Sequence, residues 1–283
     1  PTIHIEPLRT FAEACSTELD ALIRVNNRDE NLPRLRRWSD DGRRIEAIEF
    51  HPSYHTIGRR VYAAGLMSAY RSPGKQLETL AYTYQFAQNG ESGHGCPLAC
   101  TAGLIKLLQL SPDTHDAWLE RLLDSNYDTH FHGSQFLTEA QGGSDVGANA
   151  VVATHAADGT WRLTGEKWFC SVIDADLFLV TARPHGERPG THSLRAFVVP
   201  RTLTTGEVNG FYIRRLKYKL GTRSMASAEI DFNDAVAHPV GTFRDVVPLV
   251  LNPSRLYNAI FSTGAIQRSW REANAYASHR QAF

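Results

Sequence analysis

The sequence predicts an α+β protein: a helical domain over residues 1–130, an antiparallel β domain over 131–245, and the start of a second helical bundle over 246–283. Three observations carry this reading. Apolar residues recur every three or four positions up to about residue 130, the period shortens to two from His130, and helical spacing returns at Val246.

In the first part, Leu8, Phe11, Cys15, Leu19, Leu22 and Ile23 form one buried stripe, and similar stripes run from Tyr54 to Tyr70 and from Leu77 to Phe86. Cys96 to Leu110 is apolar on most sides and reads as an enclosed helix. Ser111 and Pro112 then open a short amphipathic helix carrying Trp118, Leu119 and Leu122. In the second part, Val151–Thr154 and Trp161–Thr164 flank Asp158-Gly159, a dipeptide that accepts positive φ, so they form a hairpin. Further strands are expected at 177–181, 194–199, 211–216 and 228–232. A last helix runs from about Pro253 to Phe283, with Leu256, Ile260, Ala265, Trp270, Ala273 and Tyr276 as its apolar face. No helix follows to cover that face, so the cover is expected from further chain or from another chain.

The chain has 283 residues, 42% of them apolar, with 30 basic and 30 acidic side chains. That balance excludes a disordered chain, and a net charge of zero provides no global field for nucleic acid or anionic lipid. Arg34, Arg36, Arg37, Arg43 and Arg44 are interleaved with acids and read as a solvated face. No apolar run reaches the ~18 residues a membrane span needs. Four scattered cysteines without a signal peptide point to a reducing cytoplasm.

Several chemistries lack their residues. His94, Cys96 and Cys100 have no fourth metal ligand, and His130 with His132 has no third, so no metal is expected. Ser144 lacks the spacing of a nucleophile elbow, and there is no phosphate-binding loop of the Walker or Gly-x-Gly-x-x-Gly type. Two segments remain. Residues 136–146, Phe-Leu-Thr-Glu-Ala-Gln-Gly-Gly-Ser-Asp-Val, run from a strand into a loop whose paired glycines let backbone N–H groups approach an anion, or simply make a turn. Residues 165–172, Gly-Glu-Lys-Trp-Phe-Cys-Ser-Val, end a strand with consecutive aromatics that suit either a flat ring or a core.

Together these segments resemble the acyl-CoA dehydrogenase family, with its Thr-Glu-x-x-x-Gly-Ser-Asp loop and Gly-x-Lys-x-aromatic-x-Ser/Thr strand. Arg215–Ser224, Ile230–Asp234 and the helix from Arg255 through Gly264 to Arg280 match in order. Gln141–Val146, Lys167-Trp168-Phe169, Arg223-Ser224, Gly95-Cys96-Pro97 and Gly42–Arg44 before Phe50-His51-Pro52 are most similar to the AidB branch, the adaptive-response proteins.

The resemblance implies bound FAD. Leu137 and Thr138 would bond its pyrimidine edge, Gly143 and Ser144 its pyrophosphate, and Phe169, Cys170 and Ser171 would line the flavin ring. Arg280 matches a position that reaches the FAD of a neighbouring subunit, which implies a homotetramer built as a dimer of dimers. The implied reaction is α,β-desaturation of an acyl-CoA thioester with hydride transfer to flavin N5, followed by transfer to an electron-accepting partner. Its carboxylate base is not identified in this chain: Ser254 stands before Arg255 where one branch has Glu, and other branches place the Glu beyond the position of Phe283. Glu139 is expected to be structural. Two alternatives are a flavoprotein that acts mainly by binding DNA or a protein partner in the response to alkylation damage, and an incomplete subunit of a heteromeric dehydrogenase.

Overall fold

The computed structural model describes residues 4–282. The first stripe folds as α1 (Ile5–Ala14) and α2 (Asp20–Asn26), joined without a break by a π-turn at Cys15–Leu19. The π-turn keeps Phe11, Cys15, Leu19 and Ile23 on one buried line. Four more helices follow: α3 (Pro52–Ala63), α4 (Gln76–Ala87), α5 (Gly95–Leu108) and α6 (Pro112–Leu122). As its composition requires, α5 is buried nearly all round from Pro97 to Leu108.

One element in this part was not expected. Arg34–Trp38 (β1) and Arg44–Glu49 (β2) pair as an antiparallel hairpin whose turn places Gly42 at φ +81°. The arginines are not simply solvated. Arg37 donates to the carbonyl oxygens of Ile213 and Arg214, and Arg44 to those of Val208, Asn209 and Phe211.

The β domain comprises β3 (Gly133–Phe136), β4 (Val152–His155), β5 (Trp161–Ser171), β6 (Leu177–Pro184), β7 (Arg195–Pro200), β8 (Phe211–Leu216) and β9 (Ser227–Thr242). The pairings β4–β5, β5–β9, β9–β7, β7–β6 and β6–β4 close a ring, with β3 added beside β6 and β8 beside β9. Most pairings are antiparallel as expected, but β6 pairs in parallel with both β3 and β4. Strand β6 shows how the layers meet. Phe178 and Val180 point into the barrel, whereas Leu177 and Leu179 join the helical core with Phe86, Leu104 and Val250. It is buried on both faces, so it reads as a continuous apolar run.

A seam of buried polar rings lies where the helices meet the barrel. Tyr62 packs within 4.4 Å of His130 and 5.2 Å of His132, centroid to centroid, and Tyr54 stacks on His94 at 4.1 Å. Carbonyl partners fix two of the imidazoles: His94 Nε2 bonds Tyr54 O at 2.8 Å and His130 Nδ1 bonds Asp124 O at 2.9 Å. Burial pushes both histidines down to about 4 and Asp174, behind them, up to about 6.

After α7 (Phe243–Val246) and a π-turn, α8 spans Asn252–His279 and packs along α4. Phe283 lies outside the described residues. The apolar face expected to need a cover from outside is exposed, and α8 packs on α4 through another face. Pro253, Tyr257 and Gly264 are buried, whereas Leu256, Ile266, Trp270 and Tyr276 are exposed. Gly264 sets the approach, since a Cβ there would lie 2.6 Å from Ala87 Cβ and 2.9 Å from Tyr84 O. Small residues on both helices decide this packed face, which lies apart from the stripe of large apolar residues. Among the described residues, no helix is long and apolar enough to cross a membrane.

Candidate active site

The site is built on a buried ion pair. Lys167, on β5, has no solvent exposure, and its Nζ lies 2.8 Å from Glu139 Oε1, itself buried. Nζ also donates to Leu137 O at 3.2 Å. Glu139 accepts the N–H of Ala150 at 2.6 Å and of Val151 at 3.2 Å, so one carboxylate closes the loop between 139 and 150. Asn149 Nδ2 adds a bond to Leu137 O at 2.7 Å. These donors hold both Glu139 oxygens inside the protein, so the carboxylate acts here as a clamp on the loop.

The clamp brings the two sequence segments together. Trp168 N–H donates to Thr138 O at 2.9 Å, so the loop lies directly beside the strand. Gly142 sits at φ +142°, and a Cβ on Gly143 would come within 2.7 Å of Thr138 Oγ1. The resulting shelf is narrow and exposed at Gly143 and Ser144. On the strand, Lys167 faces Ile230 and Cys170 faces Ala228, leaving Trp168 and Phe169 opposite the single residue Glu229. This bulge lets two consecutive aromatics turn away from the barrel interior. Phe169 is 45% exposed, and Lys217 Nζ lies 3.6 Å from the Trp168 ring centroid. The side chain of Cys170 points into the barrel and is fully buried. Ser171 Oγ lies 3.1 Å from Ser227 Oγ.

Next to Ser171 opens a cleft of about 320 Å³ between the first turn of α5, the first half of α8 and the loop at Met225. Past Ser171, the Val172 N–H donates to Met225 Sδ at 3.2 Å, and Met225 lines the cleft together with Cys96. Glu91 is the one carboxylate among the described lining residues. It accepts from Gly93 N at 2.6 Å and from Ser224 N at 3.0 Å, with Ser224 Oγ as a third donor. These bonds join the helical part to the barrel at Arg223-Ser224, and Arg223 itself pairs with Asp29 at 2.9 Å. Ser254 is on the first turn of α8, at the cleft wall. Arg280 follows α8 and is exposed, 18 residues beyond the lining Ser262, hence about 27 Å further along the helix axis.

The structure therefore brings Leu137, Thr138, Gly143, Ser144, Phe169 and Ser171 together, turns the Cys170 side chain inward, and sets Arg280 apart from this cleft. Sequence reasoning missed Glu91 and Met225. The run Gly90-Glu91-Ser92-Gly93, a carboxylate held within turn-forming residues, was the available signal. Among the described residues, no three His, Cys, Asp or Glu side chains have metal-binding geometry.

Two family models match. Residues 5–129 fit the adaptive response protein AidB N-terminal domain, and residues 134–235 fit the acyl-CoA dehydrogenase middle domain. The chain belongs to the acyl-CoA dehydrogenase family. It is 34% identical over 284 residues to AidB of Escherichia coli, covering 95% of this chain and 50% of that protein. The apo-form structure of Bd2924 superimposes with a TM-score of 0.89 at 28% identity, covering 99% of this chain and 58% of that one. Caenorhabditis elegans ACDH-11, solved in complex with C11-CoA, superimposes with a TM-score of 0.86 at 27% identity, covering 97% and 49%. The chain thus spans about half the length of the relatives it matches.

Proposed function

We propose that this chain holds FAD for the α,β-desaturation of an acyl-CoA thioester and contributes one wall of the acyl site. The observation that carries the reading is the junction itself. The Thr138 loop and the Phe169–Ser171 strand are bonded side by side, and the end of that strand reaches the cleft through Val172 N–H on Met225 Sδ. The residues fit the cofactor. Gly143 and Ser144 form an exposed backbone shelf with no room for a side chain at 143, suited to a pyrophosphate. Phe169 offers an exposed ring edge against a flavin, and Ser171 a hydroxyl. For Cys170 the role narrows to its backbone, because its side chain is inside the barrel.

Bound FAD would supply a two-electron acceptor for hydride from the substrate's β carbon. The chain's own part is to bind and orient. The loop and strand fix the flavin edge, Phe261 and Met225 exclude water from the cleft, and the Glu139–Lys167 pair keeps the loop in register. The cleft volume is at the lower end for a small-molecule site, about 300–1,000 Å³. The ligand in the ACDH-11 structure supports an acyl-CoA occupant. In this reading Arg280, exposed and distant from its own cleft, serves the flavin of a neighbouring copy in a dimer of dimers, where its guanidinium pairs with phosphate.

The deciding experiment is flavin reconstitution. The protein is mixed with excess FAD, passed over a desalting column, and its visible spectrum recorded. Retained flavin is expected from wild type, with reduced retention in Gly143→Val and Ser171→Ala. A colourless wild-type protein at saturating FAD overturns the reading.

A further inference from the structure

We propose that Cys96 and Cys100 form a peroxide-reactive dithiol in the wall of the cleft, with Cys96 the thiol that hydroperoxides attack and Cys100 the thiol that resolves it. The two sulfurs are 3.7 Å apart on successive turns of α5. Residues four apart on a helix have Cβ atoms about 5–6 Å apart, wider than the 3.5–4.5 Å a disulfide spans, so closing the bond requires the first turn of α5 to shift by about 1–2 Å. The other two cysteines are enclosed by apolar neighbours, Cys170 within the same apolar cluster as Cys100. Cys15 belongs to the helical core and Cys170 to the barrel interior.

The pair is asymmetric in the way such chemistry needs. Cys96 lines the cleft, whereas Cys100 is buried behind it. Cys96 is the second residue of α5, where unsatisfied backbone N–H groups favour an anion. The hydrogen bond from Cys100, with the nearby Lys219 cation and the Ser171 hydroxyl, holds the Cys96 thiol below its ordinary value against the effect of burial. Cys100 is raised by the same bond and by burial, and burial alone pushes Cys15 up to about 12. Lys219 is fixed by bonds to Met225 O at 2.8 Å and Ser227 Oγ at 3.0 Å, which keeps its charge beside the cleft.

The oxidant is hydrogen peroxide. The Cys96 thiolate attacks the peroxide, the O–O bond breaks, and a proton taken up by the leaving oxygen gives water and Cys96 sulfenic acid. The Cys100 thiol then attacks the Cys96 sulfur, the S–O bond breaks, and a second water leaves with the Cys100 proton. The disulfide removes a thiol from the cleft wall that also holds Met225, to which the strand ending at Ser171 is bonded, so oxidation alters the cleft beside that strand. The assignment rests on the two sulfurs and their neighbours and does not require FAD to bind.

The test uses the reduced protein without added flavin, treated with hydrogen peroxide at pH 7, quenched, alkylated and mapped by mass spectrometry. The expected product is a loss of two hydrogens in the tryptic peptide spanning residues 76–106, reversed by dithiothreitol. Cys96 should react at least about tenfold faster than Cys15 or Cys170. Cys100→Ser should stop at a sulfenic acid captured by dimedone, and Cys96→Ser should leave Cys100 unoxidised. Equal reactivity of all four cysteines, or direct passage of wild-type Cys96 to sulfinic acid without a disulfide, overturns the proposal. The wild-type mass shift settles the matter even where a variant folds poorly.

Discussion

Replacing Lys167 by Met leaves the Glu139 carboxylate buried with only the Ala150 and Val151 amides for company. Removing one partner of a buried pair costs about 3–5 kcal/mol, a large share of the 5–15 kcal/mol that holds a typical domain folded. Glu139→Gln is the sharper experiment because it carries a pH signature. It strands the Lys167 ammonium with Leu137 O at 3.2 Å and Thr181 Oγ1 at 3.5 Å. Burial already pushes Lys167 below the ordinary lysine value, and Glu139 is the group that opposes this. Without Glu139 the folded protein binds fewer protons at this site than the unfolded chain does, so stability should rise with pH between 7 and 10, more steeply than in wild type. The apolar double variant Glu139→Leu/Lys167→Met should recover at least about 1 kcal/mol relative to Lys167→Met, since it removes both charges. Urea denaturation followed by tryptophan fluorescence at pH 7, 8 and 9 measures all three, and Trp168 lies beside the perturbation. Losses under about 1 kcal/mol for both single variants, or a Glu139→Gln stability that does not rise with pH, would refute the clamp.

Acid should loosen the ring seam. His94 and His130 are buried neutral at about 4 against 6.5 unfolded, so the stability they secure is complete above pH 6.5 and lost as pH falls toward 4. That is about 3 kcal/mol each, while Asp174, raised to about 6, returns about 3 kcal/mol as it protonates. His132 is lowered in the same direction as the other two histidines, and burial raises Asp176 as it does Asp174; with three histidines against two carboxyls, urea midpoints should fall between pH 6.5 and 4.5, and a flat or rising profile contradicts this. Gly264→Ala should cost about 1–3 kcal/mol by forcing α8 off α4, read as a lower thermal midpoint, and an unchanged midpoint would mean the helices part freely. The 283-residue chain alone should not bleach bound flavin with acyl-CoAs at an enzymatic rate, since Ser254 is no base at neutral pH and a positioned base is worth about 10²–10⁴. Rapid anaerobic bleaching would demand a base within the chain.

The division into helices, barrel and last helix was legible because period alone reports which faces are buried, and the loop and strand segments were legible because their residue types are unusual together. What escaped depended on tertiary partners. The β1–β2 hairpin carries Arg34, Arg36, Arg37 and Arg44, so its pattern reads as surface until β8 supplies carbonyl acceptors for Arg37 and Arg44. The face by which α8 packs on α4 was not legible because Gly264, with no side chain to mark it, is the residue that packs, while the large apolar residues mark the face left exposed. Glu91 joins the site through Ser224, 133 residues away, a pairing that no local pattern carries. Cys170 shares a motif with Phe169 and Ser171, but strand alternation resumes at it and turns it inward.

The arginines of the hairpin have one more consequence. Strand β8 pairs with β9 along one side, and its other side is an open row of backbone groups that a strand from another molecule could extend. Arg37 and Arg44 occupy the carbonyls of Phe211, Ile213 and Arg214 on that strand, so guanidinium groups stand where a further strand would bond. The barrel's protection against fibril-like growth is thereby encoded some 165 residues upstream, in a segment that belongs to the helical part. A barrel expressed by itself from residue 131 onward would carry a bare edge, so its solubility depends on the domain in front of it.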